Sequence, residues 1–381
     1  MFSRIMLGVS LCAAVASAQD DGIFEKIQIH GGLSQGFLFS SSNNWLSTDS
    51  SNGSFRWNDI VLNLTDPLTE HLRVGIQLHS YMLGEIGQQK IAIDWALGDY
   101  KFNDHFGIRA GKVKTPLGLF NDIQDIDVLY PWALLPQSVY PADLRSFHLT
   151  HTGFVAYGDI PLSHKLGTIS WQGFAGERTQ DPDEGFALDL AESGVAVGDA
   201  SGPTEGADVR WKTPLSGFIV GASYQRTTLK APDALSDGVA TPAAFRYTTF
   251  DYYVEFERGK LKLDAEWNIE PGYQRIGTPL FTYLPSRIYY FMGSWHFTDK
   301  ISAGSYYSHD WSPEGNHDPS DPNNYTDDTA LNTRYDFNRH FYTKLEGHYV
   351  RGDADSFYTV FNPNGLDKVS KLFLAKVGFS F

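Results

Sequence analysis

Several runs of this chain alternate strictly between apolar and polar residues, and these runs are long. In the run 72–81 the apolar residues are Leu72, Val74, Ile76 and Leu78, and they alternate with Arg73, Gly75, Gln77 and His79. The same period of two returns at 27–34, 249–257 and 261–268, and it indicates strands with one apolar and one polar face. The alternating runs are about 9–14 residues long, close to the ~9–11 residues that a tilted strand needs to cross a bilayer. Strands of soluble sandwiches average only ~5–6 residues, so the pattern predicts an all-β, transmembrane antiparallel β-barrel.

The connections between the alternating runs are unequal. We predict sixteen strands, at 26–40, 54–65, 71–83, 90–102, 106–115, 147–160, 167–177, 207–212, 216–229, 245–257, 261–270, 286–297, 301–311, 328–337, 341–352 and 368–381. Tight turns such as 103–105 and 258–260 alternate with long links such as 41–53 and 178–206, with 84–89 as the short exception. Short turns at one end and long loops at the other are typical of outer-membrane barrels, in which the short turns are periplasmic. Closure into a barrel also satisfies every backbone polar group in the hydrocarbon.

The N-terminal segment has the pattern of an export signal. Residues 1–18 start with a basic residue, Arg4, continue with an apolar run at 5–15, and end in Ala16-Ser17-Ala18. This predicts a signal peptide at 1–18 and a mature barrel at 19–381. Cys12 is the single cysteine, so the mature chain would contain no disulfide. Removing Arg4 changes the formal net charge from −15 to −16, and this acidic balance argues against a nucleic-acid partner.

The segment 116–146 interrupts the strand pattern. It has 31 residues, four prolines and no clear strand or helix period, and it contains Asp122, Asp125 and Asp127. Irregular loops longer than about 15 residues usually have a function. The segment is also rich in apolar residues, including Phe120 and Trp132, which need shelter from water. We therefore expect it to fold into the barrel lumen as a third outer loop.

The C-terminal strand supports the same interpretation. Phe373, Ala375, Val377, Phe379 and Phe381 share one parity, and the last residue is aromatic. Here the chain resembles the bacterial outer-membrane barrels, whose final strand ends in Phe and serves as the assembly signal. The resemblance implies that Phe379 and Phe381 are read by the barrel-assembly machinery in a Gram-negative outer membrane, where outer-membrane lipid surrounds the barrel.

A more specific resemblance lies at 107–119, which reads GIRAGKVKTPLGL. A strand that ends in a basic residue and Pro-x-Gly, followed by a long inward loop, is similar to the phosphate-selective and related specific porins. The resemblance implies a sixteen-stranded channel whose third outer loop narrows the lumen. It also implies a homotrimer. We expect such a passive channel to need no cofactor and to perform no chemistry.

The predicted constriction is a set of opposed charges. Its candidate residues are Asp122, Asp125 and Asp127 on the loop and Arg73, Arg109, Lys112 and Lys114 on the wall. Arg73 and Arg109 point inward by parity, on the third and fifth strands, and we expect them to lead the basic side. Lys112 and Lys114 have the opposite parity to Arg109, so they would face inward only with a β-bulge at Gly111.

Other combinations of residues give weaker predictions. His148 and His151 have the wrong spacing for two metal ligands on one strand face, and no metal site is predicted there. The loop 317–328 (HDPSDPNNYTDD) has oxygen ligands for Ca²⁺, although such a run is more often a solvated outer loop. Ser302, His309 and Asp310 could form a hydrolase set, but His309 and Asp310 would point to opposite faces of one strand.

The sequence as a whole predicts a porin for passive diffusion of small hydrophilic solutes and ions. The alternative is a substrate-specific channel for small anions or other small polar nutrients, with a binding site at the constriction. A barrel enzyme or adhesin is the third interpretation.

Overall fold

The computed structural model describes residues 26–163, 165–282, 285–311, 318, 320–354 and 357–381. The expected signal peptide at 1–18 lies outside the described residues.

Sixteen long strands form one antiparallel sheet that closes on itself. In chain order they are β1 (Gln28–Ser40), β2 (Trp57–Pro67), β3 (Leu72–Leu83), β4 (Ile91–Asn103), β5 (Phe106–Lys114), β6 (Thr150–Ser163), β7 (Gly167–Gln180), β8 (Ala200–Lys212), β9 (Phe218–Ala231), β10 (Ala243–Arg258), β11 (Leu261–Glu270), β12 (Ser286–His296), β13 (Ile301–Trp311), β14 (Tyr325–Asp336), β15 (Phe341–Gly352) and β16 (Val369–Ser380). Each strand pairs with its neighbours in sequence, and β16 pairs with β1 from Gly32↔Ser380 to Ser40↔Leu372. This closure leaves no free sheet edge along the lipid-facing wall and confirms the predicted sixteen-stranded barrel.

The two ends of the barrel differ as predicted. Links such as 104–105, 259–260 and 337–340 are tight turns, whereas 115–149 and 353–368 are long loops. The long loops contain structure of their own: a helix at Gly185–Glu192 and short strand pieces at 195–196, 235–236, 239–240, 272–276 and 280–282. The strand pieces 272–276 and 280–282 extend the barrel sheet beyond β10.

The two faces of the wall have opposite chemistry. On β10 the outward residues Phe250 and Tyr252 are 37% and 49% exposed, whereas the inward residues Thr249 and Asp251 are 2% and 1% exposed. This is the reverse of a water-soluble sheet, and it is the arrangement expected when the solvent around the barrel is lipid and the interior is polar. No helix in the described ranges is long and apolar enough to span a membrane.

Strand β8 begins earlier than the sequence predicted. The expected strand was 207–212, but pairing with β7 starts at Ala200 and includes Pro203. The outward residues of this added part are Ser201, Pro203 and Glu205, so no apolar alternation marks it. Apolar alternation marks only the part of a strand whose outer face contacts lipid. A polar part of the same strand that extends beyond the lipid has no such pattern and cannot be predicted from it.

Candidate functional site

The segment between β5 and β6 is tied together at its base. The Asn121 side-chain amide donates to the Thr115 carbonyl at 2.7 Å and to the His148 carbonyl at 3.0 Å. A one-turn helix at Arg145–His148 precedes β6. One buried amide therefore joins the two ends of the segment, so its departure from the wall and its return to the wall are adjacent.

The segment turns sharply at Gly118, where it meets the wall at β8, β9 and β11. The Gly118 N–H donates to Ser223 Oγ at 3.0 Å, and Arg210 donates to the Gly118 carbonyl at 2.8 Å. Gly118 has φ +60°, and a Cβ at this position would lie 2.4 Å from Glu266 Oε2. Only glycine fits this turn, both because its φ is positive and because the wall is too close.

Glu266 is the main anchor of this turn. It is 2% exposed, and its carboxylate accepts hydrogen bonds from the Leu119 N–H at 3.2 Å, the Tyr140 hydroxyl at 2.6 Å and the Tyr290 hydroxyl at 2.5 Å. Two of these donors lie on the segment and one on β12. A buried carboxylate that is fully hydrogen-bonded fixes the position of everything that donates to it.

Asp127 joins the segment to the last two strands. It accepts from Lys344 Nζ at 2.9 Å, from Lys376 Nζ at 2.8 Å and from the Tyr342 hydroxyl at 2.6 Å. Burial by itself would raise the pKa of this carboxyl, but the two ammonium groups and the Tyr342 hydrogen bond hold the pKa well below its ordinary value. Asp127 is therefore ionised at any physiological pH, with two lysines opposite one carboxylate.

Asp125 joins the segment to another part of the wall, at β3. It accepts from Lys114 Nζ at 2.5 Å and from the Gln77 amide on β3 at 2.6 Å. Burial works to raise its pKa, but Lys114 and Arg145 more than offset this and lower the pKa. Asp122 differs from both, since its carboxylate makes no ion pair or hydrogen bond with any described residue, and only its backbone carbonyl accepts from Lys114 at 2.7 Å.

Between these anchors the segment packs on inward side chains of β13 to β15. Trp132 is 1% exposed and meets the Tyr306 ring edge-on, with centroids 5.0 Å apart. The Ala133 N–H donates to Glu346 at 2.8 Å, and Arg334 donates to the Val128 carbonyl at 2.7 Å. The apolar residues of the segment thus gain shelter, and its backbone groups find partners on the wall.

Arg73 and Arg109 do not face the aspartates of the segment. Both bind Asp99 on β4, at 3.0 Å and 3.6 Å, and Arg109 also lies over the Tyr157 ring at 4.5 Å. One wall carboxylate, that of Asp99, thus binds both arginines close to the short-turn end. The basic partners of Asp125 and Asp127 are Lys114, Lys344 and Lys376 instead.

Lys112 and Lys114 reach their partners without a bulge at Gly111. Pairing of β5 with β6 runs unbroken from Gly107↔Tyr157 to Lys114↔Thr150. Lys114 contacts Asp125 because the segment leaves the wall immediately after it, and Lys112 Nζ donates to the Ile93 carbonyl at 2.7 Å. The register shift lies in β4 instead, where Gln77 pairs with Trp95 but Leu78 pairs with Ile93, which leaves Asp94 as the extra residue.

The weaker candidates from the sequence do not come together. Ser302 and His309 lie on β13 seven positions apart, a distance of roughly 23 Å along a strand, and His309 binds Asp327 at 2.6 Å. The His151 ring meets the Thr115 hydroxyl at 3.0 Å. Within the described part of the chain, no group of three His, Cys, Asp or Glu side chains is placed to hold a metal. In the loop 317–328, residues 317 and 319 lie outside the described residues.

The strongest anchors of the segment were not among the predicted site residues. Glu266, Lys344 and Lys376 have inward parity, but so do many other charged residues of the wall. Their partners are more than a hundred positions away in sequence. Strand parity indicates which charged side chains face the lumen. Which of these side chains the segment contacts depends on the path of the segment.

The C-terminal aromatics close the barrel. Phe381 and Gly31 exchange two backbone hydrogen bonds of 3.1 Å each. The Phe379 ring packs on Phe341, with centroids 4.7 Å apart. The terminal strand therefore ends in a small aromatic cluster at the junction of β16 with β1 and β15.

Comparison with known proteins gives a likeness of structure alone. No family model matches the chain, and no curated relative matches it. Among solved structures, the trimer form of OmpT, an outer-membrane protein of Vibrio cholerae, has a TM-score of 0.57 and 11% identity, with 93% of this chain and 99% of that chain covered. Salmonella typhi OmpF in complex with daunomycin has a TM-score of 0.56 and 11% identity, covering 93% and 97%. The anion-selective porin of Comamonas acidovorans has a TM-score of 0.56 and 10% identity, covering 93% and 99%. The closed barrel, its apolar outer face and these neighbours identify the fold as that of the sixteen-stranded porins of the bacterial outer membrane.

Proposed function

We propose that this protein is an outer-membrane porin through which small hydrophilic solutes and ions diffuse passively. The segment 116–146 is the constriction of its channel. Solutes would be selected by the width left beside the segment and by the charges that line it. No cofactor and no chemical step are required.

One observation supports this role for the segment above all others. Asp125 is bonded to Gln77 on β3, while Asp127, only two residues later, is bonded to Lys344 on β15 and Lys376 on β16. Gly118 meets β8 and β9. Contacts with strands on several sides of a closed barrel favour a segment that crosses the interior over a cap outside the barrel.

The charges of the segment are unequal in their effect on ions. Asp125 and Asp127 are paired with lysines, so their fields are largely cancelled nearby. Asp122 makes no close ion pair among the described residues, and its charge acts on Arg210, which is itself bound to Asp208. A carboxylate without a close ion pair in a confined, low-dielectric passage acts strongly on passing ions. We therefore infer a preference for cations that Asp122 sets.

The oligomeric state and the preference for a particular solute are two finer properties of the proposed porin. A homotrimer is proposed because the family resemblance implies it and because one structural neighbour is a trimer form. A phosphate preference finds no support in the segment, since its one arginine, Arg145, is bound to Asp94 at 2.6 Å.

The test is single-channel recording with the purified protein in planar bilayers. We expect stable open channels whose current rises linearly with salt concentration, and a reversal potential of cation sign in a salt gradient. Replacing Asp122, Asp125 and Asp127 together with Asn should change the conductance and shift the reversal potential toward anions. An absence of conductance would refute the channel function, and unchanged permeability ratios in the triple variant would refute the role of the segment.

A further inference from the structure

The outward face of the barrel has an uneven distribution of charge near the long-loop end. On β7, β8 and β14 the outward residues include the carboxylates of Glu177, Glu205 and Asp327. On β9 to β12 and on the strand piece 272–276, no outward residue in the described part of the chain is Asp or Glu. The outward residues of these strands near the long loops include five exposed cations: Arg226, Lys230, Arg246, Arg275 and Arg287. The chain has 45 acidic and 30 basic residues, so this stretch of wall has the opposite charge from the chain as a whole.

Three of these cations lie close together on adjacent strands. Lys230 pairs with Ala244 on β10, and Ala244 pairs with Arg275 on 272–276, so two strand spacings, roughly 10 Å, separate Lys230 from Arg275. Arg246 lies two residues along β10 from Ala244 on the same face, roughly 7 Å away. Long side chains at these positions can meet around one anionic group. We call Lys230, Arg246 and Arg275 the basic patch.

The cations of the basic patch have no carboxylate partner within the described residues. The side chains of Lys230 and Arg275 are exposed and make no ion pair or hydrogen bond with any described residue. Arg246 donates from Nε to Thr228 Oγ1 at 3.3 Å and lies over the Tyr273 ring at 5.0 Å. These two contacts orient the guanidinium and leave its terminal amino groups available. A guanidinium with two available amino groups binds phosphate oxygens in pairs, and a nearby ammonium adds a further charge-assisted hydrogen bond.

The basic patch follows directly on the apolar band of the outer face. On β9 and β10 this band ends with Tyr224 and Phe250, whose ring centroids are 5.4 Å apart. The next outward residues toward the long loops are polar, and they lead to Lys230 on β9 and Arg246 on β10. Aromatic side chains of transmembrane barrels mark the membrane interface. Cations just beyond them therefore lie at the level of the lipid headgroups.

We propose that the basic patch binds the phosphate groups of lipids in the outer leaflet of the outer membrane. The Arg246 guanidinium binds a phosphate, and Lys230 and Arg275 contact it from the neighbouring strands. A phosphorylated lipid fits this surface better than a dissolved anion, because its acyl chains pack on the apolar band while its phosphate meets the patch. The inference depends on the barrel and its membrane location, and it does not depend on the channel function.

The test is lipid binding to the intact protein in detergent, measured by native mass spectrometry. The probes are lipid A, which has two phosphates, and the same lipid with both phosphates removed. Lipid A should bind at least about tenfold more tightly, since each cation near an anionic lipid surface adds to the attraction. Higher ionic strength should reduce this difference, because it screens exposed charges. Inorganic phosphate in large excess should not displace lipid A, since it lacks the apolar contacts.

The variant that removes the patch is the double substitution Lys230→Gln and Arg275→Gln. It should weaken the binding of lipid A about tenfold or more, and it should leave the binding of the dephosphorylated lipid unchanged. The matched control is Arg351→Gln with Lys371→Gln, which removes two exposed outward cations from the same end of β15 and β16. The control should bind both lipids as the wild type does.

Three results would overturn the proposal: equal binding of the two lipids, wild-type affinity for lipid A in the double patch variant, or displacement of lipid A by inorganic phosphate. If the double patch variant gives no heat-modifiable barrel, Glu205→Gln provides a test of opposite sign. This substitution frees Arg226, which lies 3.5 Å from Glu205 and beside Arg246 on the neighbouring strand. It should tighten the binding of lipid A about threefold. Unchanged or weaker binding in Glu205→Gln would then overturn the proposal.

Discussion

Asp127 and Lys344 are 217 residues apart in the sequence and form an ion pair of 2.9 Å. The Lys344 side chain is fully buried, and a second ammonium, that of Lys376, lies 2.8 Å from the same carboxylate oxygen. The pair links the loop after β5 to the last two strands of the barrel. It is one of several anchors of the segment, together with the contacts of Glu266 and Asp125.

Asp127→Asn should loosen the segment while the barrel stays intact. The substitution leaves two buried lysines facing a neutral amide, and breaking a buried pair by removing one partner costs about 3–5 kcal/mol. The sheet keeps all its backbone hydrogen bonds. We expect faster hydrogen exchange across 116–146 and a noisier, larger single-channel current.

The matched control is Asp122→Asn, which makes the same change of charge on the same segment without removing an ion pair. Its exchange rates should match those of the wild type. Equal exchange in both variants would show that Asp127 does not hold the segment.

The ion pair between Asp127 and Lys344 also predicts how the channel responds to acid. The pKa of Asp127 in the folded protein lies below its ordinary value of 3.8, so the unfolded segment binds a proton more readily than the folded one. The stability that Asp127 contributes is therefore complete above pH 4 and is lost as the pH falls below that value. Conductance recorded from pH 7 to pH 2 should stay steady to about pH 4 and become noisy below it. An opening transition between pH 7 and pH 5 would contradict this assignment.

The barrel could be predicted from the sequence, but most of the contacts of the segment 116–146 could not. Alternation is a local property, and each run of the wall, such as 72–81, displays it without reference to any other. The partners of Asp127 depend on the path of the 31 irregular residues 116–146, and no local pattern specifies such a path. Parity correctly places Arg73 and Lys344 on the same inward face, yet only Lys344 meets the segment.

Strand register explains why Lys112 and Lys114 do not lie as the sequence predicted. The sequence allowed Lys112 and Lys114 to turn inward through a bulge at Gly111, but the shift occurs one strand away, at Asp94. A bulge depends on the pairing of two strands, so the sequence of one strand cannot locate it. Lys114 finds Asp125 because the chain leaves the wall at Thr115, a property of the loop and not of the strand.

Asp122→Asn should shift ion selectivity by itself. Asp122 is the one carboxylate of the three candidates on the segment that makes no close ion pair within the described residues, whereas Asp125 is bound to Lys114 at 2.5 Å. Neutralising an unpaired charge changes the field in the passage, while its packing stays the same. We expect the reversal potential in a salt gradient to move toward anions by several millivolts, and the conductance to change by less than twofold. A reversal potential identical to that of the wild type would exclude Asp122 as the selecting charge.

Gly118→Ala should displace the turn of the segment. The residue has φ +60°, and its added Cβ would lie 2.4 Å from Glu266 Oε2 and 2.7 Å from the Tyr140 hydroxyl. The backbone strain alone costs on the order of 1–3 kcal/mol. We expect altered conductance and faster exchange at 116–120. The control is Gly98→Ala on β4, where a Cβ meets nothing within 4 Å, and this variant should match the wild type in both measurements.

Deletion of Phe381 should impair assembly and leave the pore itself unchanged. The two backbone hydrogen bonds between Phe381 and Gly31 are the last of the β16–β1 closure, and a free strand end leaves unpaired groups in or near the hydrocarbon. The residue lies at the short-turn end, away from the segment, so molecules that do assemble should conduct normally. We expect the level of heat-modifiable barrel in outer-membrane fractions to fall severalfold. Phe381→Tyr keeps both the aromatic ring and the backbone pair and should restore that level. Wild-type levels in the deletion variant would show that closure does not depend on this residue, and a changed conductance would show that its effect reaches the pore.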